Sequence, residues 1–450
     1  MAKRELFGTD GIRGKAGVYP LDAATALQLG RASAAALLSS DEKALVVIGK
    51  DTRASGDMLE QAMAAGLNAE GVDVLLAGVI PTPAVALLTR KYDAAFGVVI
   101  SASHNPFHDN GIKFFGPDGF KLPDEVELAM EDRLLGRTAL TDEVPEIAGR
   151  TTTLATAMDE YVDFVCGDLS TDLLSGLKVA LDTANGASYV TSEKILRRLG
   201  ADVTVYHADP DGVNINANCG CTHSEIIEEL VKTTDAQIGV SHDGDADRVL
   251  LCDENGSVVD GDEIMAIAGK HMIENGTLAH NTVVATVMSN AGLEIAMKEA
   301  GGQVVRTGVG DRYVVEEMRK GGYNLGGEQS GHFIFMDHNT TGDGIVSALQ
   351  LLKVVKETGK PLSELRQVLT KLPQVLINLA VSDKPEPEEV PAIKAAMDDV
   401  RGDLGEFGRI LIRYSGTEPL IRILVEGPDE AVTQSSADRL AEVIKAEIGA

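Results

Sequence analysis

The sequence predicts an α/β fold with parallel or mixed sheets. Three observations carry that expectation. Short apolar runs rich in β-branched residues alternate with helical patterns through most of the 450 residues. Such runs suit strands buried on both faces, and their alternation with helices implies βαβ units. The same order restarts twice, and the tail breaks it with strands followed by one amphipathic helix.

In the first round, residues 45–49 form the opening strand. Asp57 with Glu60 has the spacing of a helix start, so a helix is expected over residues 58–70. Residues 72–76 and 96–100 are the next strands. The second round has a strand at 177–182, a helix near 188–199, and strands at 202–206 and 236–240. The third has a strand at 282–287, a helix near 292–300 and a strand at 303–306. In the tail, residues 373–381 and 410–425 read as strands and residues 430–448 as a helix. Residues 384–389 read as a polar, proline-bearing loop. A chain of this length exceeds one core. Boundaries near 155, 256 and 370 divide it into domains 1–155, 156–256, 257–370 and 371–450.

Apolar content of 44% with 24% charged residues is that of a globular protein. Forty Lys and Arg against 69 Asp and Glu give a formal charge of −29. That field repels nucleic acid and anionic membranes, so neither is an expected partner. A phosphorylated ligand needs the scarce basic residues gathered in one place. Four cysteines (Cys166, Cys219, Cys221, Cys252) make no disulfide framework. Cys219, Cys221 and His223 form a soft ligand set that lacks a fourth member, so structural or free thiols are expected. The first seven residues hold no apolar run and suggest no signal peptide. The longest apolar stretch, 74–88, is broken by Pro81 and Pro83 and is too short to span a bilayer. A soluble, cytoplasmic protein is the expectation.

Ligands of α/β sheets gather beyond the carboxyl ends of strands, and three polar motifs fall there. Asp243, Asp245 and Asp247 follow the strand at 236–240. In an extended loop, alternate residues converge, and three carboxylates together repel unless a hard cation lies between them. Glycine and alanine between them permit a tight turn. A calcium loop is the rival, with Glu254 at its twelfth position, but Arg248 stands where that loop needs glycine. A solvated acidic turn is the plain alternative. Ser103, in Ser101-Ala102-Ser103-His104-Asn105-Pro106, follows the strand at 96–100. Serine needs a base, a metal or a good donor to act as nucleophile, and no G-x-S-x-G elbow is present. A phosphoserine here would add an oxygen ligand to the metal, which would neutralise charge as the phosphoryl group leaves. Lys113 could serve as general acid or base if its surroundings lowered its pKa; alone it reads as a surface lysine. Glu328, Ser330 and His332 offer partners for sugar hydroxyls. Arg413, Ser415, Gly416, Thr417 and Arg422 have the composition of a phosphate site, with backbone amides, hydroxyls and bidentate guanidinium groups. A polar β-turn is the alternative there.

These loops, in this order and with Phe7-Gly8-Thr9-Asp10-Gly11-Ile12-Arg13-Gly14 before them, resemble the α-D-phosphohexomutase family over nearly the whole chain. The resemblance implies three similar mixed α/β domains and a smaller C-terminal α+β domain around a central cleft. It implies that Ser103 carries the phosphoryl group and that its phosphate, with Asp243, Asp245 and Asp247, binds one Mg2+ per subunit. Arg13, His104, Lys113 and Arg248 then surround the transferred group. Glu328, Ser330 and His332 hold the sugar, and Arg413, Ser415, Gly416, Thr417 and Arg422 grip the phosphate that is not reacting. The implied reaction interconverts a hexose 6-phosphate and 1-phosphate through a 1,6-bisphosphate. Gln329 points by similarity to glucosamine as the sugar, on the way to UDP-N-acetylglucosamine and cell-wall precursors. Glucosamine or glucose 1,6-bisphosphate is then the activator, and a homodimer fits the family. Mannose or glucose phosphates are the rival substrates. A metal-dependent sugar phosphatase and a non-catalytic phosphosugar sensor are the rival classes; the intact Ser103, Lys113 and aspartates oppose the sensor.

Overall fold

The computed structural model describes residues 4–38, 44–140, 145–405, 408–414 and 419–450. The first unit holds β1 (Ile12–Lys15), α1 (Ala23–Leu37), β2 (Leu45–Lys50), α2 (Gly56–Ala69), β3 (Asp73–Val79), α3 (Thr82–Lys91), β4 (Phe96–Ile100), β5 (Asp109–Phe115), α4 (Asp124–Leu134) and β6 (Thr151–Thr153). The second holds α5 (Ala157–Cys166), β7 (Lys178–Asp182), α6 (Thr191–Arg198), β8 (Asp202–Tyr206), α7 (Ser224–Thr233), β9 (Ile238–His242), β10 (Val249–Cys252) and β11 (Val258–Val259). The third holds α8 (Gly261–Glu274), β12 (Thr282–Thr286), α9 (Ala291–Glu299), β13 (Gln303–Thr307), α10 (Asp311–Gly321), β14 (Leu325–Gly327), β15 (Phe333–Phe335), α11 (Gly344–Thr358) and α12 (Leu362–Leu365). The fourth holds β16 (Gln374–Ala380), α13 (Pro391–Leu404), β17 (Arg409–Tyr414), β18 (Leu420–Glu426) and α14 (Glu430–Ile448).

Each of the first three units has one mixed sheet. Their strand orders are β1-β5-β4-β2-β3-β6, β11-β10-β9-β7-β8 and β13-β12-β14-β15. The inner strands are parallel, and antiparallel strands sit at one edge. Strands β4, β9 and β12 are buried at every position, as expected of strands covered on both faces. The fourth sheet, β16-β18-β17, is antiparallel throughout. Among the described residues, no helix is long and apolar enough to cross a membrane.

One apolar core runs from α3 and α5 through the second sheet (Val179, Leu181, Val240) into the third unit (Ile264, Val283, Phe333). The fourth unit has its own core, centred on Ile393, Val400, Ile421, Ile423 and Leu440. Polar groups join it to the third unit. Arg409 donates to the carbonyls of Val287 (2.6 Å) and Ser289 (2.8 Å) and pairs with the buried Glu426, which accepts the N–H of Ala291 (2.7 Å).

One expectation is corrected. Helix α2 begins at Gly56 after Ser55, without a side-chain cap; Asp57 and Glu60 instead hold Lys50 Nζ at 2.6 and 2.5 Å. Only α2, α6, α9 and α14 had a placed expectation; α1 is an instructive one among the rest. The buried face of α1 is largely alanine, serine and glycine, because it packs backbone-close on α2: a Cβ at Gly30 would lie 2.5 Å from Met63 O, and one at Gly66 2.1 Å from Leu27 O. Small residues give little apolar periodicity to read.

Candidate functional site

The loop after β4 turns because Ser103 adopts a positive φ of 53°, a conformation that costs free energy and persists where surroundings over-determine it. Those surroundings are hydrogen bonds. Arg53 donates to the carbonyls of Ser103 (2.9 Å), Asn105 (2.8 Å), Pro106 and Asp109, and is itself paired with the buried Asp51 (2.9 Å). Ser101 Oγ donates to Asp51 and accepts the Ser103 N–H. From the second unit, Asn216 Nδ2 donates to the same Ser103 and Asn105 carbonyls (2.9 and 3.1 Å). Ser103 is thereby held at 1% exposure, and its Oγ donates to Asp243 Oδ2 at 2.5 Å.

The aspartate loop is not extended. The N–H of Ala246 bonds to the Asp243 carbonyl (3.1 Å), and Ala246 takes a φ of 55°. The three carboxylates converge through this tight turn rather than by alternation, with ligand oxygens within 4.8 Å of one another. Gly244 and Gly344 permit the turn: Cβ atoms there would meet Ser103 O at 2.6 Å and Arg248 O at 2.2 Å. Burial first, then Asp247 and Asp245, push the Asp243 carboxyl well above its ordinary range. Burial also raises Asp247, but Lys113, His332 and Arg248 outweigh it and hold that carboxylate ionised. Asp245 Oδ1 and Asp247 Oδ1 are buried without a hydrogen-bond donor. Orphaned carboxylate oxygens at this spacing, with an all-oxygen donor set, fit a hard divalent cation such as Mg2+. Glu254 lies elsewhere, accepting the Ser363 hydroxyl and N–H, so no calcium loop forms.

Lys113 departs from the surface position that the residue taken alone suggests. It is 1% exposed, and burial alone would lower its pKa, but Asp10 (2.9 Å), Asp245 (2.9 Å) and Asp247 (3.7 Å) raise it instead. Lys113 is thus a buried amine paired with carboxylates, not a surface lysine. His104 Nδ1 lies 3.3 Å from Ser103 Oγ, and burial, then Arg248 and Arg13, lower its pKa.

A cavity of about 580 Å³ opens beside these loops. Arg13 and Lys121 line it from the first unit, Arg248 from the second, Glu328 and His332 from the third, and Arg413 from the fourth. Glu328 directly follows β14, and its loop lies against α8, where a Cβ at Gly261 would sit 2.6 Å from the Glu328 and Gln329 carbonyls. His332 is 3% exposed, between Asp247 (3.7 Å) and Asp311 (3.5 Å), while Ser330 is exposed and does not line the cavity. In the fourth sheet, Arg413 stands directly opposite Arg422. Like charges so placed repel, and an anion between them relieves the repulsion. Ser415, Gly416 and Thr417 lie outside the described residues.

The four domain signatures of one family match the chain in order: phosphoglucomutase/phosphomannomutase domain I at residues 4–139, domain II at 159–256, domain III at 260–372 and the C-terminal domain at 376–443. The chain belongs to the phosphoglucomutase/phosphomannomutase family. Among its relatives is the phosphoglucosamine mutase of Geobacter sp. (strain M21), 53% identical over 99% of both chains. That of Syntrophotalea carbinolica is also 53% identical, over 99% of this chain and 98% of its own. In structure, it resembles a phosphoglucomutase/phosphomannomutase family protein from Burkholderia thailandensis, with a TM-score of 0.82 at 25% identity over 98% and 97% of the two chains. It also shares its fold with Aspergillus fumigatus N-acetylphosphoglucosamine mutase in complex with GlcNAc-6P and magnesium, with a TM-score of 0.67 at 18% identity over 99% and 96%.

The structure of this phosphohexomutase adds residues the motifs did not single out. Asp10 bridges Arg13, Lys113 and Lys121. Thr82 donates to Asp245 Oδ2 at 2.7 Å. Arg53 and Asn216 brace the Ser103 loop. Asp10 lies inside the N-terminal motif; the others had only a generic signal, a polar residue after a strand or before a helix.

Proposed function

We propose that this phosphohexomutase interconverts glucosamine 6-phosphate and glucosamine 1-phosphate, supplying the amino sugar for UDP-N-acetylglucosamine and cell-wall precursors. The observation that carries the reaction is the buried Ser103 hydroxyl bonded to Asp243 at a cleft lined from all four units. The phosphoglucosamine mutase relatives, matched end to end, support the amino sugar.

In the proposed cycle the Ser103 Oγ–P bond breaks as a sugar hydroxyl oxygen bonds to phosphorus. The hydroxyl proton passes to a nearby base, for which the neutral imidazole of His104 is the candidate. Lys113, Arg13 and Arg248 stay charged and offset the phosphoryl oxygens. Asp243, Asp245, Asp247 and the Ser103 phosphate would hold one Mg2+, which when bound supplies Lewis-acid charge neutralisation. The bisphosphate then turns over, and Ser103 takes back the other phosphoryl group. Glu328, Ser330 and His332 hold sugar hydroxyls. Arg413, Ser415, Gly416, Thr417 and Arg422 clamp whichever phosphate is not reacting, a task suited to a domain with its own core. The four-domain division near 155, 256 and 370, activation by a 1,6-bisphosphate, a homodimer and a cytoplasmic location complete the reading.

Phosphorus NMR with magnesium, trace bisphosphate and glucosamine, glucose or mannose 6-phosphate tests it. Glucosamine 1-phosphate should form with the highest kcat/KM, and Ser103→Ala should abolish it while still binding substrate. A preference for glucose or mannose would reassign the sugar. Phosphate release faster than isomerisation would favour a phosphatase.

A further inference from the structure

Outside the cleft, three side chains from separate segments meet at the carboxyl ends of β7 and β8, neighbouring parallel strands. Asp182 ends β7, His207 follows β8, and Cys219 lies on the connection to α7. One nitrogen, sulfur or oxygen atom of each falls within 4.8 Å of the other two. His207 Nδ1 is 3.1 Å from Asp182 Oδ1, yet it is buried and out of alignment for a hydrogen bond.

The set is braced as metal ligands are. Metal-binding side chains are oriented by outer hydrogen bonds. Asp182 accepts the N–H groups of Ala184 (2.9 Å) and Gly220 (2.8 Å). The His207 backbone is held through its carbonyl by Thr183 Oγ1 (2.7 Å) and the Asn185 N–H (2.6 Å). Cys219 is fully buried, and its sulfur has only a distant amide contact, Asn185 Nδ2 at 3.9 Å. A plain Asp–His ion pair leaves that thiol unexplained. A cation beside the thiol would ionise it. Cys221 and His223 do not join: His223 pairs with Glu225 at 3.2 Å, and the group whose ligand atoms all fall within 4.8 Å of one another is Asp182, His207 and Cys219 without them.

We propose that Asp182, His207 and Cys219 form a second metal site, for a borderline transition metal of the zinc class, separate from the aspartate triplet. Three mixed S, N and O ligands with water in a fourth position are a zinc pattern, and the partly exposed edge of His207 admits that water. Ligand softness keeps the two sites apart, since an all-oxygen triplet favours magnesium. The ion would also brace the serine loop. Cys219 lies three residues beyond Asn216, which grips the Ser103 and Asn105 carbonyls, and Asn185, beside the site, accepts Thr52 Oγ1 (2.6 Å) from the first unit.

Cobalt(II) tests this on the full chain after chelator stripping, because thiolate ligation gives a near-ultraviolet charge-transfer band that the oxygen triplet cannot. We expect the band to saturate at one cobalt per chain, to be displaced by zinc and to resist excess magnesium. It should vanish in Cys219→Ser, weaken at least tenfold in apparent Kd in His207→Gln, and persist in Cys221→Ser and Asp243→Asn. Zinc should raise Tm by a few degrees in wild type and not in His207→Gln. No band in wild type, a band surviving Cys219→Ser, or one abolished by Cys221→Ser would overturn the proposal. Should Cys219→Ser misfold, His207→Gln decides it, and a band of undiminished affinity there rejects the site.

Discussion

Gly244→Ala tests whether the contact between the aspartate and serine loops sets the rate of phosphoryl transfer. An added Cβ would lie 2.6 Å from Ser103 O, 2.8 Å from Asn216 Nδ2 and 2.9 Å from Ile215 Cδ1. Ordinary contact begins near 3.4 Å, so the loops must part by about 0.8 Å. The Ser103 carbonyl cannot yield cheaply, because Arg53 and Asn216 both donate to it at 2.9 Å. A misplacement of this size costs about 100-fold in rate, or about 2.7 kcal/mol in barrier. The phosphate and sugar loops are untouched, so KM should stay within a few-fold. The assay is kcat and KM for glucosamine 6-phosphate, with circular dichroism to show that the fold persists. Gly402→Ala is the control: no atom lies within 4 Å of its Cβ position in α13, and helix propensity improves by about 1 kcal/mol with kcat unchanged. A folded Gly244→Ala enzyme with kcat within twofold of wild type would refute the argument.

Arg413→Ala should raise KM about 10- to 100-fold, the loss of a charge-assisted hydrogen bond, without lowering unliganded Tm, because Arg422 loses a like-charged neighbour; a lowered Tm with unchanged KM would make Arg413 structural. Lys113→Met strands the buried Asp245 and should cost about 3–5 kcal/mol, seen as a lower Tm in chelator that millimolar magnesium partly restores; equal Tm values would discount the ion pairs. Burial raises Asp262 from 3.8 to about 6, so its ionised form disfavours the folded state above pH 6, and that penalty fades as pH falls towards 3.8. Asp262→Asn, which keeps the bond from the Asn290 N–H (2.8 Å), should therefore stabilise by roughly 3 kcal/mol near pH 7.5 and by little near pH 4; a pH-independent gain would point to packing instead. Asp245→Asn should lose magnesium-dependent activity, and full turnover in chelator would remove the metal from the mechanism.

Strand β4 was legible because burial on both faces demands an unbroken apolar run, and the serine, aspartate and Glu328 loops because they follow strand ends. The sequence alone determined the α/β class and the repeated architecture, and it singled out Ser103, the aspartates and Arg413, which the structure brings to one cleft. These are local properties, carried by residue type and spacing. Helix α1 was missed because its packing on α2 uses small residues, which leave no periodic signal. Only the tertiary structure decided that Lys113 is buried among Asp10, Asp245 and Asp247, that Asn216 and Arg53 hold the serine loop, and that Cys219 meets His207 and Asp182 rather than its near neighbours Cys221 and His223. The reason is physical: a pKa depends on which distant carboxylates close around a buried group, and a ligand set on which strand ends the sheet brings side by side. Neither is a property of spacing along the chain.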